Sequence, residues 1–200
     1  MTRIPSNITK QEISINGSLF VAALIPLINT DPGNAIRAFK DEHPKASHLP
    51  FAYIYGNEER CGDDGEPHNA AGKPYLELLH HASLDCSLLI CARYFGGTKL
   101  GLPRLKKTFL EAAKTCILAS AFVIPITLGE YRLTLPMEEA SVIRSYLYSK
   151  DIHFDENYDS EMTTIVFVSD RIVVDTLFPL LKGREIEKVC DKIVYQKEKP

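Results

Sequence analysis

The 200 residues suffice for one large domain or two small ones, and 45% hydrophobic and 24% charged residues are typical of a globular chain. A net charge of −3 excludes overall positive charge as a basis for nucleic-acid binding. No apolar run approaches the roughly 20 residues that a membrane-spanning helix needs. The first residues lack the apolar centre of a signal peptide, so we expect a cytoplasmic protein.

The five cysteines are scattered along the chain, with no Cys-x-x-Cys pair. An odd number at such spacings argues against both a disulfide framework and a zinc site. Cys61 lies in a polar segment, where its thiol should be accessible, but no partner histidine is evident near it to activate a nucleophile.

The first 124 residues alternate strand and helix signals. Apolar, β-favouring residues predict a strand at Ser18–Leu27. A helix follows, with Asp31 or Thr30 as its N-cap and Pro32 in its first turn, and it ends near His43. Further on, the signals predict a strand at Ser47–Tyr55, a polar loop at Gly56–Gly72, a helix at Pro74–His81, a strand at Ser87–Phe95 and a helix at about Leu100–Ser120.

The helix predicted at Leu100–Ser120 is amphipathic. Apolar residues recur at three- and four-residue steps along one face, namely Leu102, Leu105, Phe109, Ala112 and Cys116. Arg104, Lys107, Glu111 and Lys114 fall on the opposite face. This charged face is either a solvated helix back or a contact surface, and the glycine-rich stretch before the helix makes the two interpretations about equally strong.

A domain boundary is predicted within Ala121–Leu128, where Pro125 interrupts the chain. Beyond it the pattern predicts a strand at Gly129–Leu135, a helix at Met137–Lys150, strands at Ile152–Tyr158 and Met162–Ser169, a helix at Arg171–Leu181 and a strand at Glu185–Tyr195. This order is the βαββαβ of a ferredoxin-like domain. The prediction is an α+β protein of two-layer α/β sandwich domains, at residues 1–124 and 128–200, ending in a charged tail, Gln196–Pro200.

Charge is concentrated in two elements of the first half. Residues 58–66 hold five acidic residues and one arginine, a local charge of −4. Residues 93–114 hold six basic residues and one acidic residue, a local charge of +5. The first half thus carries one strongly acidic and one strongly basic element.

The acidic loop, residues 61–74, contains Asp63, Asp64 and Glu66. Three carboxylates so close together could hold Mg²⁺ through water and phosphate oxygens. Aspartates beside glycines more often stabilise a turn by accepting backbone N–H bonds, and the spacing favours that interpretation. The ligand pattern of an EF-hand is absent, and His68 is better explained as a polar loop residue than as a general base.

The glycine-rich segment, residues 93–104, joins a buried strand to the basic helix. Gly96 and Gly97 allow backbone conformations that are closed to other residues, and a helix N-terminus favours an anion such as phosphate. Lys99 and Arg104 would strengthen that preference, and Tyr94 or Phe95 could offer a stacking surface. The spacing matches neither a Walker loop nor a dinucleotide fingerprint.

These motifs together resemble the IMPACT/YigZ family. The similarity lies in Asp63–Pro67 (Asp-Asp-Gly-Glu-Pro), Ala71–Pro74 (Ala-Gly-Lys-Pro), Arg93–Gly97 (Arg-Tyr-Phe-Gly-Gly) and Leu100-Gly101, and extends to Ser18-Leu19-Phe20, His48 and Ala52-Tyr53. It covers most of residues 16–120. The resemblance implies a first domain like the fourth domain of elongation factor G, with a left-handed βαβ crossover, and a C-terminal ferredoxin-like domain, which agrees with the pattern of residues 128–195.

The chain departs from the family pattern at three places. Leu19 replaces an arginine, which would remove a charge near the expected site. His68-Asn69-Ala70 stands where Gly-Thr-Ala is typical, and Leu102-Pro103-Arg104 replaces a glycine-rich stretch of bacterial members. A ligand approaching the backbone there would meet Pro103 and Arg104 instead of glycine.

Eukaryotic members of the family are implicated in translational control, so the resemblance implies a translation-associated regulatory factor that binds RNA, the ribosome or a ribosome-associated protein. The expected ligand-binding residues are Lys73, Arg93, Tyr94, Gly96, Gly97, Lys99, Arg104 and Lys107, and the expected motif loop comprises Asp63, Asp64, Gly65, Glu66, Pro67 and Gly72. No cofactor, resident metal or catalytic residue is assigned. Two alternatives stay open: a Mg²⁺-dependent phosphate-handling enzyme, and a protein–protein adaptor in which Asp63, Asp64 and Glu66 form internal ion pairs with Lys73 or Arg93.

Overall fold

A computed structural model describes residues 2–198, which form two compact units. The first unit extends to Pro125 and resumes at Gln196, and the second is Ile126–Tyr195. The predicted α+β class and two-domain organisation are confirmed. Residue 1 and the last two residues of the predicted charged tail lie outside the described residues.

Within residues 2–198 the strands are β1 (Ile4–Pro5), β2 (Thr9–Ile15), β3 (Ser18–Pro26), β4 (Phe51–Tyr55), β5 (Glu58–Gly62), β6 (Ser87–Tyr94), β7 (Phe122–Pro136), β8 (Phe154–Asp159), β9 (Met162–Ser169) and β10 (Glu187–Lys197). The helices of this part of the chain are α1 (Pro32–Glu42), α2 (Gly72–His81), α3 (Leu102–Ala119), α4 (Met137–Ser149) and α5 (Arg171–Leu177). None of the helices described is both long and apolar enough to span a bilayer.

The first unit is built on an antiparallel sheet with the strand order β2-β3-β6-β4-β5. Helices α2 and α3 cover one face, where Phe20, Tyr75 and Phe109 pack together. Helix α1 covers the other face through Ala35 and Phe39. The first unit therefore has three layers instead of the predicted two, which explains why its central strands are almost continuously apolar.

The second unit has the strand order β10-β7-β9-β8, which is that of a ferredoxin-like domain. One face of this sheet packs through Leu133 and Phe167 against α4 and α5, while the other face exposes residues such as Arg132 and Thr134. This unit has the two layers that were predicted.

Four features of the fold differ from the predictions. Strands β1 and β2 precede the first predicted strand, and β5 lies inside the predicted loop, where it forms a hairpin with β4. Strand β5 escapes recognition because four of its five residues are exposed and three are charged, so it has no apolar pattern. The structural break predicted at Pro125 is not observed, because strand β7 continues through this residue. The helix predicted to Leu181 ends at Leu177 and continues as a short 3₁₀ turn that contains Pro179.

Candidate functional site

The acidic loop and the glycine-rich segment lie on opposite sides of one cleft. The cleft has a volume of about 350 Å³. The acidic loop supplies Gly65, Glu66 and Pro67. The opposite side consists of Arg93 in β6, Phe95, Lys99 and Leu100 in the segment between β6 and α3, and Leu102 and Leu105 in the first turns of α3. Two motifs about 30 residues apart in the sequence thus meet because the loop follows β5 and the segment follows β6, in the same sheet.

Arg93 and Glu66 form a buried ion pair at the base of the cleft. Arg93 Nη1 donates to both carboxylate oxygens of Glu66, at 2.7 and 2.8 Å, and the two side chains are only 10% and 1% exposed. Arg93 was expected to be a cation that meets a ligand. Its charge is instead neutralised within the chain, as the adaptor alternative anticipated for this residue.

The rest of the Arg93 guanidinium is less well satisfied. Its Nε is buried and has no hydrogen-bond partner within residues 2–198. Its central carbon lies 5.6 Å from the ring centroids of both Phe20 and Phe95. The guanidinium is therefore held by one carboxylate and two aromatic rings, and part of its donor capacity stays unused.

Asp63 closes the acidic loop onto the start of α2. Its carboxylate accepts backbone N–H bonds from Asn69, Ala71 and Gly72, at 2.7, 2.9 and 2.9 Å. Desolvation acts to raise the pKa of Asp63, but these three N–H donors favour the ionised form and bring the pKa below its ordinary value. Asp63 is a structural carboxylate that stabilises the loop.

Asp64 fastens the same loop to the chain that leads into β4. The backbone N–H of Leu49 donates to Asp64 Oδ2 at 2.7 Å, and His48 Nδ1 donates to the Asp64 carbonyl oxygen at 2.7 Å. Gly65 has a positive φ of 83°, and a Cβ there would lie 3.0 Å from the His48 ring, so glycine is required at this position.

All three carboxylates of the acidic loop are thus occupied by groups of the chain itself. This supports the turn interpretation over the Mg²⁺ interpretation, since five of the six carboxylate oxygens that would bind a metal already accept from N–H donors. Within residues 2–198 there is no cluster of metal-ligating side chains.

The glycine-rich segment is anchored at Gly96. A Cβ at Gly96 would come within 1.9 Å of the Gly17 carbonyl carbon, because the two backbones are in direct contact. The Gly96 N–H also donates to Ser18 Oγ at 3.1 Å. By contrast, Gly97 and Gly101 have positive φ angles of 85° and 75° and open space around them, so they provide the turns that lead into α3.

The basic side chains beyond these glycines are available to a partner. Lys99, Arg104 and Lys107 are exposed, and none forms an ion pair with an acidic residue within residues 2–198. The N-cap of α3 is Gly101, which has no side chain to cap the first N–H groups. Their partial positive charge adds to that of the three cations.

Two residues lie on the face of the sheet opposite the cleft. The ring nitrogen Nδ1 of His43 is 2.8 Å from the Tyr94 hydroxyl, and Tyr94 packs against the α1 side of the sheet, so the expectation of a ligand-binding Tyr94 is corrected. Leu19 packs on that side too, so the arginine that it replaces would not have faced the cleft. The alternation of side chains along β6 separates Tyr94 from Arg93 and Phe95, a signal present in the sequence.

Two further positions lie away from the cleft lining. Lys73 is exposed in the first turn of α2. Cys61 is exposed in β5, but partial burial, together with Asp63 and Glu59, raises the pKa of its thiol, which makes it a poor nucleophile. His48, which pins the loop, was noted in the sequence only as part of the family resemblance, because no local pattern marks a side chain that acts across 16 residues.

A model of the Impact N-terminal domain matches residues 16–117. The molecule is thus a two-unit α+β protein whose first unit is an Impact N-terminal domain. It is 30% identical over 144 residues to the IMPACT family member in pol 5'region of Thermus thermophilus, covering 72% of this chain and 79% of that relative. It is also 30% identical over 162 residues to the IMPACT family member YvyE of Bacillus subtilis (strain 168), covering 76% and 74%. The chain belongs to the IMPACT family, which confirms the resemblance found in the sequence.

A solved structure is similar over nearly the whole length. It is described as the crystal structure of a hypothetical protein, and the match covers 99% of this chain and 97% of that chain with 20% identity and a TM-score of 0.61. At this identity the likeness concerns the fold alone, and it extends through both units.

Proposed function

We propose that this protein is a translation-associated regulatory factor, and that it binds RNA, the ribosome or a ribosome-associated protein through the basic surface around the start of α3. The observation that carries the proposal is the absence, within residues 2–198, of acidic partners for Lys99, Arg104 and Lys107. Membership of the IMPACT family supports the link to translation.

The local charge outweighs the net charge for a partner that contacts this surface. Between residues 97 and 110 there are four basic residues and no acidic one, while the chain as a whole carries −3. At physiological ionic strength charges are screened beyond about 8 Å. A polyanion in contact with α3 therefore interacts mainly with these cations.

The test replaces Lys99, Arg104 and Lys107 together with alanine. If each of them contacts one phosphate, RNA affinity falls by about tenfold or more, and the slope of log affinity against log salt becomes shallower by about 2. Filter binding to RNA and ribosome co-sedimentation, each across a salt series, measure both quantities.

A matched control is available on the opposite face of the same sheet. Arg37, Lys40 and Lys45 are exposed and form no ion pair within residues 2–198, so their triple alanine variant changes the net charge equally. The proposal expects near-native binding of this control. Equal loss in both variants would indicate non-specific attraction, and no loss in the α3 variant would exclude this surface.

A second candidate is an adaptor that binds a protein and no nucleic acid. The observation that favours it is the internal pairing of Glu66 with Arg93, because the loop motif then serves to hold the cleft in shape. Pull-down from lysate with and without ribonuclease separates the two: an adaptor retains its partner after ribonuclease treatment. No observation favours the Mg²⁺-dependent enzyme, since its three candidate carboxylates are occupied.

A further inference from the structure

We propose that the cleft receives one unpaired nucleobase, which stacks on Phe95 while the phosphate of the same nucleotide lies at Lys99 on the rim of the cleft, with Arg104 exposed in the first turn of α3. This inference rests on the proposed function and narrows it to a class of ligand: single-stranded RNA in preference to duplex RNA or an acidic protein.

The first observation is the exposed ring of Phe95. It lines the cleft and is 49% exposed, although a phenylalanine at the end of a buried strand would normally be covered. One side of the ring is occupied by Arg93, whose guanidinium carbon is 5.6 Å from the centroid. The remaining ring surface is open to the cleft and suits a flat aromatic partner.

The second observation is the chemistry of the cleft walls. Leu100, Leu102 and Leu105 form an apolar wall on the side of α3, opposite Pro67 of the acidic loop. Lys99 lies beside this wall, in the glycine-rich segment before α3. Apolar walls beneath a cationic rim match the amphipathic character of a nucleotide, which has a flat, weakly polar base and a charged phosphate. A volume of about 350 Å³ lies at the lower end of the usual range for small-ligand sites, about 300–1,000 Å³.

The third observation is the unused donor capacity of Arg93. The residue is only 8% exposed, it lines the cleft, and its Nε has no partner within residues 2–198, while Glu66 takes Nη1 alone. Buried donors without partners are rare in native proteins. Since Nε itself is sealed from solvent, an acceptor on the edge of a base in the cleft would bind at Nη2, which forms no hydrogen bond within residues 2–198.

The same observations weigh against the other classes of partner. The bases of a duplex are paired and stacked, so a duplex could contact only the rim cations. An acidic peptide would use those cations but would not need an open aromatic ring. The Arg93 guanidinium lies over the rings of both Phe20 and Phe95. This row of planar groups ends at the exposed ring of Phe95, and a nucleobase stacked on that ring would extend it.

The first experiment compares Phe95→Ala with the native chain on two probes: a fluorescein-labelled oligoadenylate, and a duplex with the same number of phosphates. Loss of one base–aromatic stack should weaken binding of the single strand by about tenfold and leave duplex binding nearly unchanged. Phe95→Leu keeps an apolar side chain but no ring, and should behave like Phe95→Ala.

The second experiment uses the absence of tryptophan from the chain. Phe95→Trp places a single indole in the cleft, and its fluorescence should be quenched by AMP and by the oligoadenylate, but not by ribose 5-phosphate or inorganic phosphate. Phe178→Trp is the matched control, because Phe178 is 45% exposed and lies in the second unit. It should show no quenching by any of the four probes at the same concentrations.

The outcomes separate this inference from the proposed function. If the alanine variant of Lys99, Arg104 and Lys107 loses binding while Phe95→Ala does not, the cationic surface stands and base stacking is refuted. Equal loss on single strand and duplex also refutes stacking. If a Glu-rich peptide displaces the oligoadenylate and quenches Phe95→Trp equally well, the ligand class is an acidic peptide and the inference is overturned.

Discussion

The acidic loop and the glycine-rich segment face the same cleft but use their charges in different ways. Every carboxylate of the loop that was singled out in the sequence is satisfied inside the chain, by backbone N–H groups or by Arg93. Beyond Arg93, the cations of the segment and of the start of α3 have no acidic partner within residues 2–198. The comparison shows that charge density along a sequence does not reveal which charges a partner can reach, because that depends on the partners that the fold supplies.

The largest expected effect concerns the acidic loop, whose carboxylates are satisfied inside the chain. Replacing Glu66 with alanine leaves the Arg93 cation buried and unpaired, so the free energy of unfolding should fall by about 3–5 kcal/mol. Urea titration followed by circular dichroism measures the change.

The exposed pair Arg171–Asp175 provides the control. Its atoms are 2.9 Å apart, but the side chains are 68% and 55% exposed, so Asp175→Ala should lower the free energy of unfolding by less than about 1 kcal/mol. If Glu66→Ala lowered it no more than this control does, the loop would not depend on its ion pair and the contrast between the two regions would fail.

The next largest loss of stability is expected at Gly96, which holds the glycine-rich segment against Gly17. Gly96→Ala forces a Cβ to within 1.9 Å of the Gly17 backbone, which cannot yield as a flexible side chain can, and should lower the free energy of unfolding by about 3 kcal/mol.

Gly97→Ala is the neighbouring control. Nothing lies within 4 Å of its Cβ position, so only the strain of a positive φ remains, about 1–2 kcal/mol. Both variants are measured by the same urea titration. Similar losses at the two positions would contradict the close packing of Gly96 on Gly17.

The smallest effect is a pH-dependent one at Asp63. The two carboxylate oxygens of Asp63 accept the backbone N–H bonds of Asn69, Ala71 and Gly72. Asp63→Asn replaces one of these oxygens with an amide nitrogen, so the free energy of unfolding at neutral pH should fall by about 1–2 kcal/mol. The folded-state pKa of Asp63 is below its unfolded value of about 4. The unfolded chain therefore binds a proton first on acidification, and the contribution of Asp63 is complete above that value and is lost as pH falls through the folded-state pKa.

The measurement is the difference in unfolding free energy between Asp63→Asn and the native chain across acidic pH. It should be constant above about pH 5 and shrink below about pH 4. Asp41→Asn is the control: Asp41 is exposed in α1 and its side chain makes no hydrogen bond within residues 2–198, so its effect should stay within about 0.5 kcal/mol. A constant difference for Asp63→Asn down to the lowest pH would exclude the N–H bonds as the reason for the lowered pKa.

Local patterns were sufficient to predict the elements that flank the site. The apolar spacing of residues 102–116 predicted α3, and the strand–helix order after residue 128 predicted the ferredoxin-like unit. Strand β5 was missed because its exposed, charged residues carry no apolar alternation. The N-cap of α1 was predicted because Asp31 acts within its own turn, accepting from the Asn34 N–H at 2.9 Å.

The candidate site was only partly predictable. The residue types and the two motifs could be identified, but the sequence left open whether Arg93 meets a ligand or pairs inside the chain, and only the structure shows its ion pair with Glu66. Phe95 and Tyr94 were treated as equivalent, although the alternation of β6 places them on opposite faces of the sheet. No sequence pattern indicated that Asp64 would bind the chain at Leu49.

The sequence by itself determined the amphipathic helices, the α+β class and the presence of two oppositely charged motifs, because periodicity, turn residues and charge are properties of short stretches. Only the tertiary structure decided which charges remain available and which aromatic ring lines the cleft. The physical reason is that hydrogen bonds and ion pairs between residues 15 to 30 positions apart, such as Leu49–Asp64 and Glu66–Arg93, depend on how the strands pair. Strand pairing brings the two motifs together, and the partners found there set the electrostatics of the site.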